Sequence, residues 1–93
     1  MKEEVKNWLA QAKDDLKKAR DNFKDNNLDG AAFFCQQSIE RALKALLIQT
    51  SGNFPKIHDI VALARMTNAT SDIVDKCKKI NPYYTETRYP DFS

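Results

Sequence analysis

The clearest pattern in the chain is the spacing of apolar residues between positions 31 and 47. They recur three or four positions apart, as on one face of a helix, and form one apolar stripe: Ala32, Cys35, Ile39, Ala42, Leu43 and Leu46. Phe33 and Leu47 flank this stripe on one side and Phe34 flanks it on the other. A helix that is apolar around so much of its girth is typical of the centre of a helical bundle.

The same helix carries a polar column of Gln36, Glu40 and Lys44, each four residues after the last. Glu40 precedes Lys44 by one turn, which is the favourable order for a helical ion pair. Two interpretations follow. In the structural one, these side chains pair with each other or with Asp15 across the hairpin; in the functional one, Lys44 meets an anion and Glu40 orients it.

The first helix is predicted from about Lys2 to about Asn26. Its apolar residues alternate in steps of four and three, the period of left-handed bundle packing: Val5, Leu9, Ala12, Leu16, Ala19 and Phe23. The break at 26–30 is short, so the first two helices should form an antiparallel hairpin. Asp29 is the expected N-cap of the second helix, which should run to about Thr50.

A shorter third helix is predicted after a second break. Gly52 is expected at the C′ position that follows the second helix. The third helix should run from about His58 to about Met66, and Asp59 should serve its N-terminus, where a carboxylate is favourable.

A fourth helix should be capped by Thr70 or Ser71 and end at Pro82, because proline interrupts helical hydrogen bonding. Residues 83–93 show no helical period. The fold class is therefore all-α: one domain over residues 1–93, an antiparallel up-and-down helical bundle of two long helices and two shorter ones plus an irregular C-terminal tail.

Composition narrows the classes of function. The net charge of +2, with signs interleaved along the chain, gives no argument for nucleic acid by itself. No apolar run could span a membrane, and no signal peptide is visible, so we expect a cytoplasmic protein. Cys35 and Cys77 belong to no CxxC or Cys/His cluster, so we expect no metal site, and buried free thiols rather than the alternative of a disulfide. No cofactor is expected.

Two further sites are candidates for chemistry. His58 is the only histidine; it either caps and packs the third helix or acts as a general acid/base. The motif Arg88-Tyr89-Pro90-Asp91 presents a fork of donors beside a ring, which suits a phosphate or a base. Alternatively, the tail folds back as packing, with its tyrosines covering the core.

These residues together resemble the HEPN domain family, and the resemblance covers nearly the whole chain. Three segments carry it: Trp8, Ala12, Asp15-Leu16 and Ala19 on the first helix; Ala32-Phe33, Gln37 and Glu40 to Leu47 on the second; and His58 with the closing Thr87 to Asp91. The resemblance implies an antiparallel helical bundle that usually forms a homodimer. Small prokaryotic members are often encoded beside a minimal nucleotidyltransferase, with which they act in toxin–antitoxin-like systems.

Many HEPN proteins are metal-independent ribonucleases with an arginine, four to six residues, and then a histidine. No arginine stands at that spacing before His58. After Arg88 the histidine would fall at 93 to 95, but position 93 is serine and the sequence ends there. The family's final helix is also missing, so we expect either a naturally short member or a truncated form, and we do not carry the nuclease activity over.

The resulting hypothesis is a homodimeric HEPN-type module that works with a nucleotidyltransferase-type partner and binds a nucleotide or RNA phosphate. Arg88 would contact phosphate, Tyr89 would stack, and Lys44 with Glu40 would form the floor of the site. One alternative is a metal-independent ribonuclease that brings Arg88 and His58 together in space. The other is a purely structural module whose exposed seam pairs with another helix.

Overall fold

The computed structural model describes the backbone of residues 1–88 and the side chains of residues 1–81. It contains four α-helices, namely α1 (Glu3–Lys24), α2 (Leu28–Ser51), α3 (Ile60–Met66) and α4 (Ser71–Arg88). Residues 1–88 include no strand, and the predicted all-α bundle is confirmed. α2 is central among the four described helices: α1 contacts α2 and neither of the other two, whereas α3 and α4 pack against α2 and against each other.

The turn between α1 and α2 differs from the prediction at its cap. Asn27, not Asp29, is the N-cap of α2, and its Oδ1 accepts a hydrogen bond from the backbone N–H of Gly30 at 3.1 Å. Its Nδ2 donates to Oδ1 of Asn22 at 2.8 Å. Asn27 is favoured at this position because its amide nitrogen contacts α1 while its amide oxygen caps α2. Asp29 lies inside the first turn of α2.

The connection from α2 to α3 is fixed at both ends by single residues. Gly52 follows α2 with a φ of 89°, the left-handed conformation predicted for a C′ glycine. Asp59 is the N-cap of α3, and its Oδ1 accepts from the backbone N–H groups of Val61 and Ala62. α3 therefore begins at Ile60, and the prediction that His58 starts this helix is wrong by two residues.

α4 continues through Pro82 to Arg88, so the predicted end at Pro82 is wrong. Thr70 caps this helix, as one of the two predicted residues, by accepting from the backbone N–H of Ile73 at 3.4 Å. Proline removes one hydrogen bond and crowds the preceding turn, but no glycine follows to stop the helix. The first part of the predicted irregular tail is thus helical, and residues 89–93 lie outside the described part of the chain.

The apolar core consists of two clusters on opposite sides of α2. One joins α3 to α4 through Ile60, Ala64, Val74 and Cys77, with Ile39 and Leu43 of α2 packed against it. The other joins α1 to α2 through Val5, Ala45 and Ile48, with Trp8, Leu9 and Phe54 around it. The loop that carries Phe54 therefore closes the α1 side of the core.

The rotation of α2 about its axis is the main departure from the sequence pattern. The polar column is buried, with Gln36 0% and Lys44 4% exposed, whereas Leu46 of the apolar stripe is 44% exposed. The rest of that stripe is half-buried. On α1, Asp15 is buried but Leu16 is exposed. The polar column thus points into the bundle, and part of each predicted apolar seam faces outward.

Candidate functional site

The polar column of α2 forms an ion pair inside the protein. Lys44 Nζ lies 2.9 Å from Glu40 Oε2, and both side chains are buried. This confirms the interpretation in which the two residues pair with each other. Since a buried charge is costly unless it is paired and hydrogen-bonded, each residue depends on the other for its place in the core.

Asp15 has different partners from those predicted. Its Oδ2 lies 2.8 Å from Nη1 of Arg41, and its Oδ1 accepts from Nε2 of Gln37 at 3.2 Å. These contacts hold α1 to α2 at a separate point of the hairpin. Gln37 and Arg41 are one turn apart, so their shared helix face is the sequence signal that identifies them as partners of a buried acid.

His58 extends the Glu40–Lys44 pair to the surface. His58 Nδ1 lies 2.8 Å from Glu40 Oε2, and 54% of the histidine side chain is exposed. A carboxylate accepts hydrogen bonds, so the proton of a neutral His58 is assigned to Nδ1, which leaves Nε2 as an acceptor. Nε2 has no partner among residues 1–81. The carboxylate thus orients an imidazole whose other nitrogen is available to a ligand.

Two aromatic rings enclose the ammonium group of Lys44. Lys44 Nζ lies 5.1 Å from the ring centroid of Phe54 and 6.0 Å from that of Trp8. The two rings meet edge to face with their centroids 5.2 Å apart. Cations are attracted to ring faces, and a buried cation cannot also meet a ligand in solvent. Lys44 is therefore linked to the surface only indirectly, because it pairs with Glu40 and Glu40 contacts the exposed His58.

Gln36 connects this cluster to α4. Its Nε2 donates to the backbone carbonyl of His58 and to Oδ1 of Asn81, both at 3.2 Å. Asn81 Nδ2 in turn donates to Asp59 Oδ1 at 3.2 Å. Gln36 Oε1 is buried and has no partner within the described side chains. Asn81 was not singled out by sequence, because no spacing rule relates it to Gln36, 45 residues away.

The structure does not bring all predicted site residues together. Arg88 is the last residue of α4 and follows Asn81 by seven positions, about 10 Å along the helix axis. α4 is antiparallel to α2, so residues beyond Asn81 extend away from Lys44. Arg88 therefore lies in a helix rather than in a non-helical tail. Its side chain and the whole of Tyr89 fall outside the described residues, and their ligand roles stay predictions.

Neither a metal site nor a membrane span is found in the described part of the chain. No group of three His, Cys, Asp or Glu side chains there could hold a metal ion. No described helix is both long enough and apolar enough to cross a bilayer. Cys35 and Cys77 are free, and burial raises the pKa of both thiols above the ordinary value. Cys77 is buried as predicted, but Cys35 is only half-buried.

Comparison with known proteins gives one result that bears on this cluster. A family model described as HEPN domain matches residues 5–93 of the chain. No curated protein matches it, and neither does any solved structure. The matched range includes all four helices except the first two residues of α1. It also contains every residue proposed for the site: Glu40, Lys44, His58, Arg88 and Tyr89.

Proposed function

Because this chain belongs to the HEPN domain family, we propose that it is a cytoplasmic HEPN-type module that binds a nucleotide or RNA phosphate near His58. It acts as a homodimer together with a nucleotidyltransferase-type partner in a toxin–antitoxin-like system. The binding of phosphate is the part of this function that the geometry supports best.

The observation that carries the proposal is the position of His58. Its ring is half-exposed, and Nδ1 is held at 2.8 Å by a carboxylate that Lys44 in turn holds from within the core. An imidazole oriented in this way presents Nε2 in a fixed direction, and when protonated it donates to a phosphate oxygen through a charge-assisted bond. Glu40 and Lys44 form the floor beneath His58 and do not contact the ligand.

Arg88 and Tyr89 are the remaining residues of the proposed site. A guanidinium group suits phosphate because it offers two parallel donors, and a tyrosine ring stacks on bases of any sequence. Arg88 follows Asn81 by seven residues in α4. Asn81 in turn contacts Asp59, the residue after His58. A ligand bound at both residues would therefore extend along α4 from His58.

The test is a calorimetric titration with ATP and with short single-stranded RNA. We expect His58→Ala and Arg88→Ala each to weaken binding by about tenfold, the equivalent of about 1.4 kcal/mol. Lys79→Ala is the matched control, because it removes one exposed positive charge from α4. Binding that is absent in the wild type, or equal in all four proteins, would refute the site.

A second candidate function is a metal-independent ribonuclease. The observation that favours it is the Glu40–His58 hydrogen bond, since a carboxylate that orients an imidazole is a common arrangement for moving a proton. Arg88 would stabilise the phosphate charge. Cleavage of RNA in the presence of EDTA, abolished in His58→Ala and reduced in Glu40→Gln, would support this function. Cleavage that persists in His58→Ala would exclude it.

The proposed homodimer and partner are tested separately from the ligand. Sedimentation at several protein concentrations should give a dimer. Co-expression with the product of a neighbouring nucleotidyltransferase gene should give a complex that survives gel filtration. A strictly monomeric sedimentation profile would rule out the homodimer. If no complex with the nucleotidyltransferase-type partner formed either, the purely structural alternative would also be unsupported.

A further inference from the structure

The groove between α1 and α2 is an apolar surface on the opposite side of α2 from His58. Leu16 is 39% exposed and Phe23 is 67% exposed on the α1 side. A hollow of about 370 Å³ lies between these two residues and Cys35. A second hollow of about 150 Å³ lies between Leu9 and Leu46. Both hollows have almost entirely apolar walls, and neither is filled by any part of the chain that the structure describes.

A row of positive charges runs along α1 beside this groove. Lys6, Lys13, Arg20 and Lys24 are spaced seven, seven and four residues apart, so they share one face of the helix. All four are exposed, and none forms an ion pair with residues 1–81. We call these four residues the basic row. Arg20 and Lys24 also line the rim of the larger hollow.

Several other lysines are paired with acids, although Lys2, Lys56 and Lys79 form no ion pair with residues 1–81 either. Lys17 and Lys18 each pair with an aspartate one turn away on α1, and Lys76 pairs with Asp72 on α4. The basic row therefore carries the charge that the fold leaves uncompensated along the groove. The α2 side of the groove has no charge, because its residues there are alanine, cysteine, leucine and glutamine.

We propose that this groove docks an amphipathic helix of a partner protein, whose large apolar side chains enter the two hollows and whose acidic flank pairs with the basic row. Amphipathic helices bind grooves in this way, with apolar anchors on one face. The hollows are centred near residues 20 and 5 of α1, about 20 Å apart. The docked helix is therefore at least about four turns long.

Charge and shape favour an acidic amphipathic helix over a second copy of the chain, RNA or a lipid surface. A second copy that packed α1 against α1 about a two-fold axis would bring two basic rows together, and like charges at an interface are unfavourable. RNA would find no hydrogen-bonding group in an apolar groove to hold its bases. A lipid surface would meet the charges but would leave concave hollows empty. An acidic amphipathic helix satisfies both the hollows and the basic row.

The probe for this proposal is a fluorescein-labelled synthetic helix of about twenty residues, with leucines on one face and glutamates along one flank. A second peptide has lysine in place of every glutamate. Fluorescence anisotropy should show the acidic peptide binding to the wild type at least tenfold more tightly than the lysine peptide. The double variant Lys13→Glu/Arg20→Glu should reverse this preference.

Lys76→Glu/Lys79→Glu is the matched control, since it makes the same change in net charge on exposed positions of α4. It should bind the acidic peptide as the wild type does, as should His58→Ala, which separates this surface from the phosphate site. Circular dichroism checks the fold of each variant. Protection of Cys35, but not Cys77, from a thiol reagent would place the peptide in the larger hollow.

Four results would overturn the proposal. The first is equal binding of the two peptides, and the second is an equal loss in both double variants. The third is that Lys13→Glu/Arg20→Glu removes binding of short RNA or of anionic phosphatidylserine vesicles while the acidic peptide binds no variant. Dimerisation abolished by Phe23→Ser, without any peptide binding, would likewise assign the groove to a second copy.

Discussion

Replacement of Lys44 by methionine isolates the energetic role of the buried ion pair. Methionine keeps a long flexible chain between Trp8 and Phe54 and contacts aromatic rings favourably. The change therefore removes the charge and leaves most of the packing. Glu40, whose Oε2 lies 2.9 Å from Lys44 Nζ in the wild type, would keep only its contact with His58 Nδ1.

The expected effect is large for a domain of this size. Removal of one partner from a buried ion pair destabilises a protein by about 3–5 kcal/mol, because the other charge is left buried. A chain of 93 residues has a total free energy of unfolding of roughly 5–14 kcal/mol. For a domain of this size about 1 kcal/mol shifts the melting temperature by about 5 °C, so we expect Lys44→Met to melt roughly 15–25 °C below the wild type.

Urea denaturation provides the measurement, followed by far-ultraviolet circular dichroism and by the fluorescence of Trp8. Trp8 is the only tryptophan and its ring centroid lies 6.0 Å from Lys44 Nζ, so it reports directly on this region. The control is Lys17→Met, which breaks an i,i+4 pair with Asp21 in which the side chains are 77% and 52% exposed. That change should cost less than about 1 kcal/mol.

The double variant Glu40→Gln/Lys44→Met tests the reasoning more severely. It removes both charges and leaves no uncompensated ion in the core, so it should be more stable than Lys44→Met alone. The coupling energy between the two sites should be on the order of 1–3 kcal/mol. The claim that the two buried charges stabilise each other would be refuted by either of two results. One is a loss of less than about 1 kcal/mol in the free energy of unfolding of Lys44→Met. The other is strictly additive losses in the double variant.

Three further predictions concern other parts of the fold. Gly30→Ala should lower the melting temperature although alanine favours helices, because a Cβ there would overlap the side chains of both Asn22 and Asn27; an unchanged melting temperature in Gly30→Ala would contradict this close packing. Asp59→Ala should destabilise the protein by about 1 kcal/mol in urea denaturation, and Asp59→Asn by less; equal losses would argue against the cap. Ellman's reagent should label Cys35 faster than Cys77, and slowly near neutral pH, because burial raises the pKa of both thiols. Both rates should increase as the pH rises towards those raised pKa values, since only the thiolate reacts; a pH-independent rate would contradict this.

Local signals predicted several of the capping residues, although α3 begins two residues later than expected. Gly52 stops α2 because a left-handed residue is needed there, and Asp59 starts α3 because its carboxylate accepts two free N–H groups. Both effects involve only neighbouring residues, so the sequence is sufficient to predict them. Pro82 does not end α4, because proline weakens a helix by a finite amount that packing in the tertiary structure can offset, and packing is not a local effect.

The candidate site was predictable only in part. The Glu40–Lys44 pair follows from a spacing of four residues on one helix. The contact of Glu40 with His58 joins residues 18 positions apart, and that of Gln36 with Asn81 joins residues 45 apart. Such contacts depend on how α3 and α4 dock on α2, which no local rule contains.

The rotation of α2 follows from its polar groups rather than from its apolar ones. A rotation of α2 that moved the apolar stripe inward would expose Lys44. It would also separate Arg41 from Asp15, whose side chain is 1% exposed. An unpaired carboxylate at that depth is strongly unfavourable. The same rotation would break the hydrogen bond from Ser38 to a backbone carbonyl of α1. Several buried polar partners thus fix one rotation, and the exposure of Leu46 beside the groove is its necessary consequence.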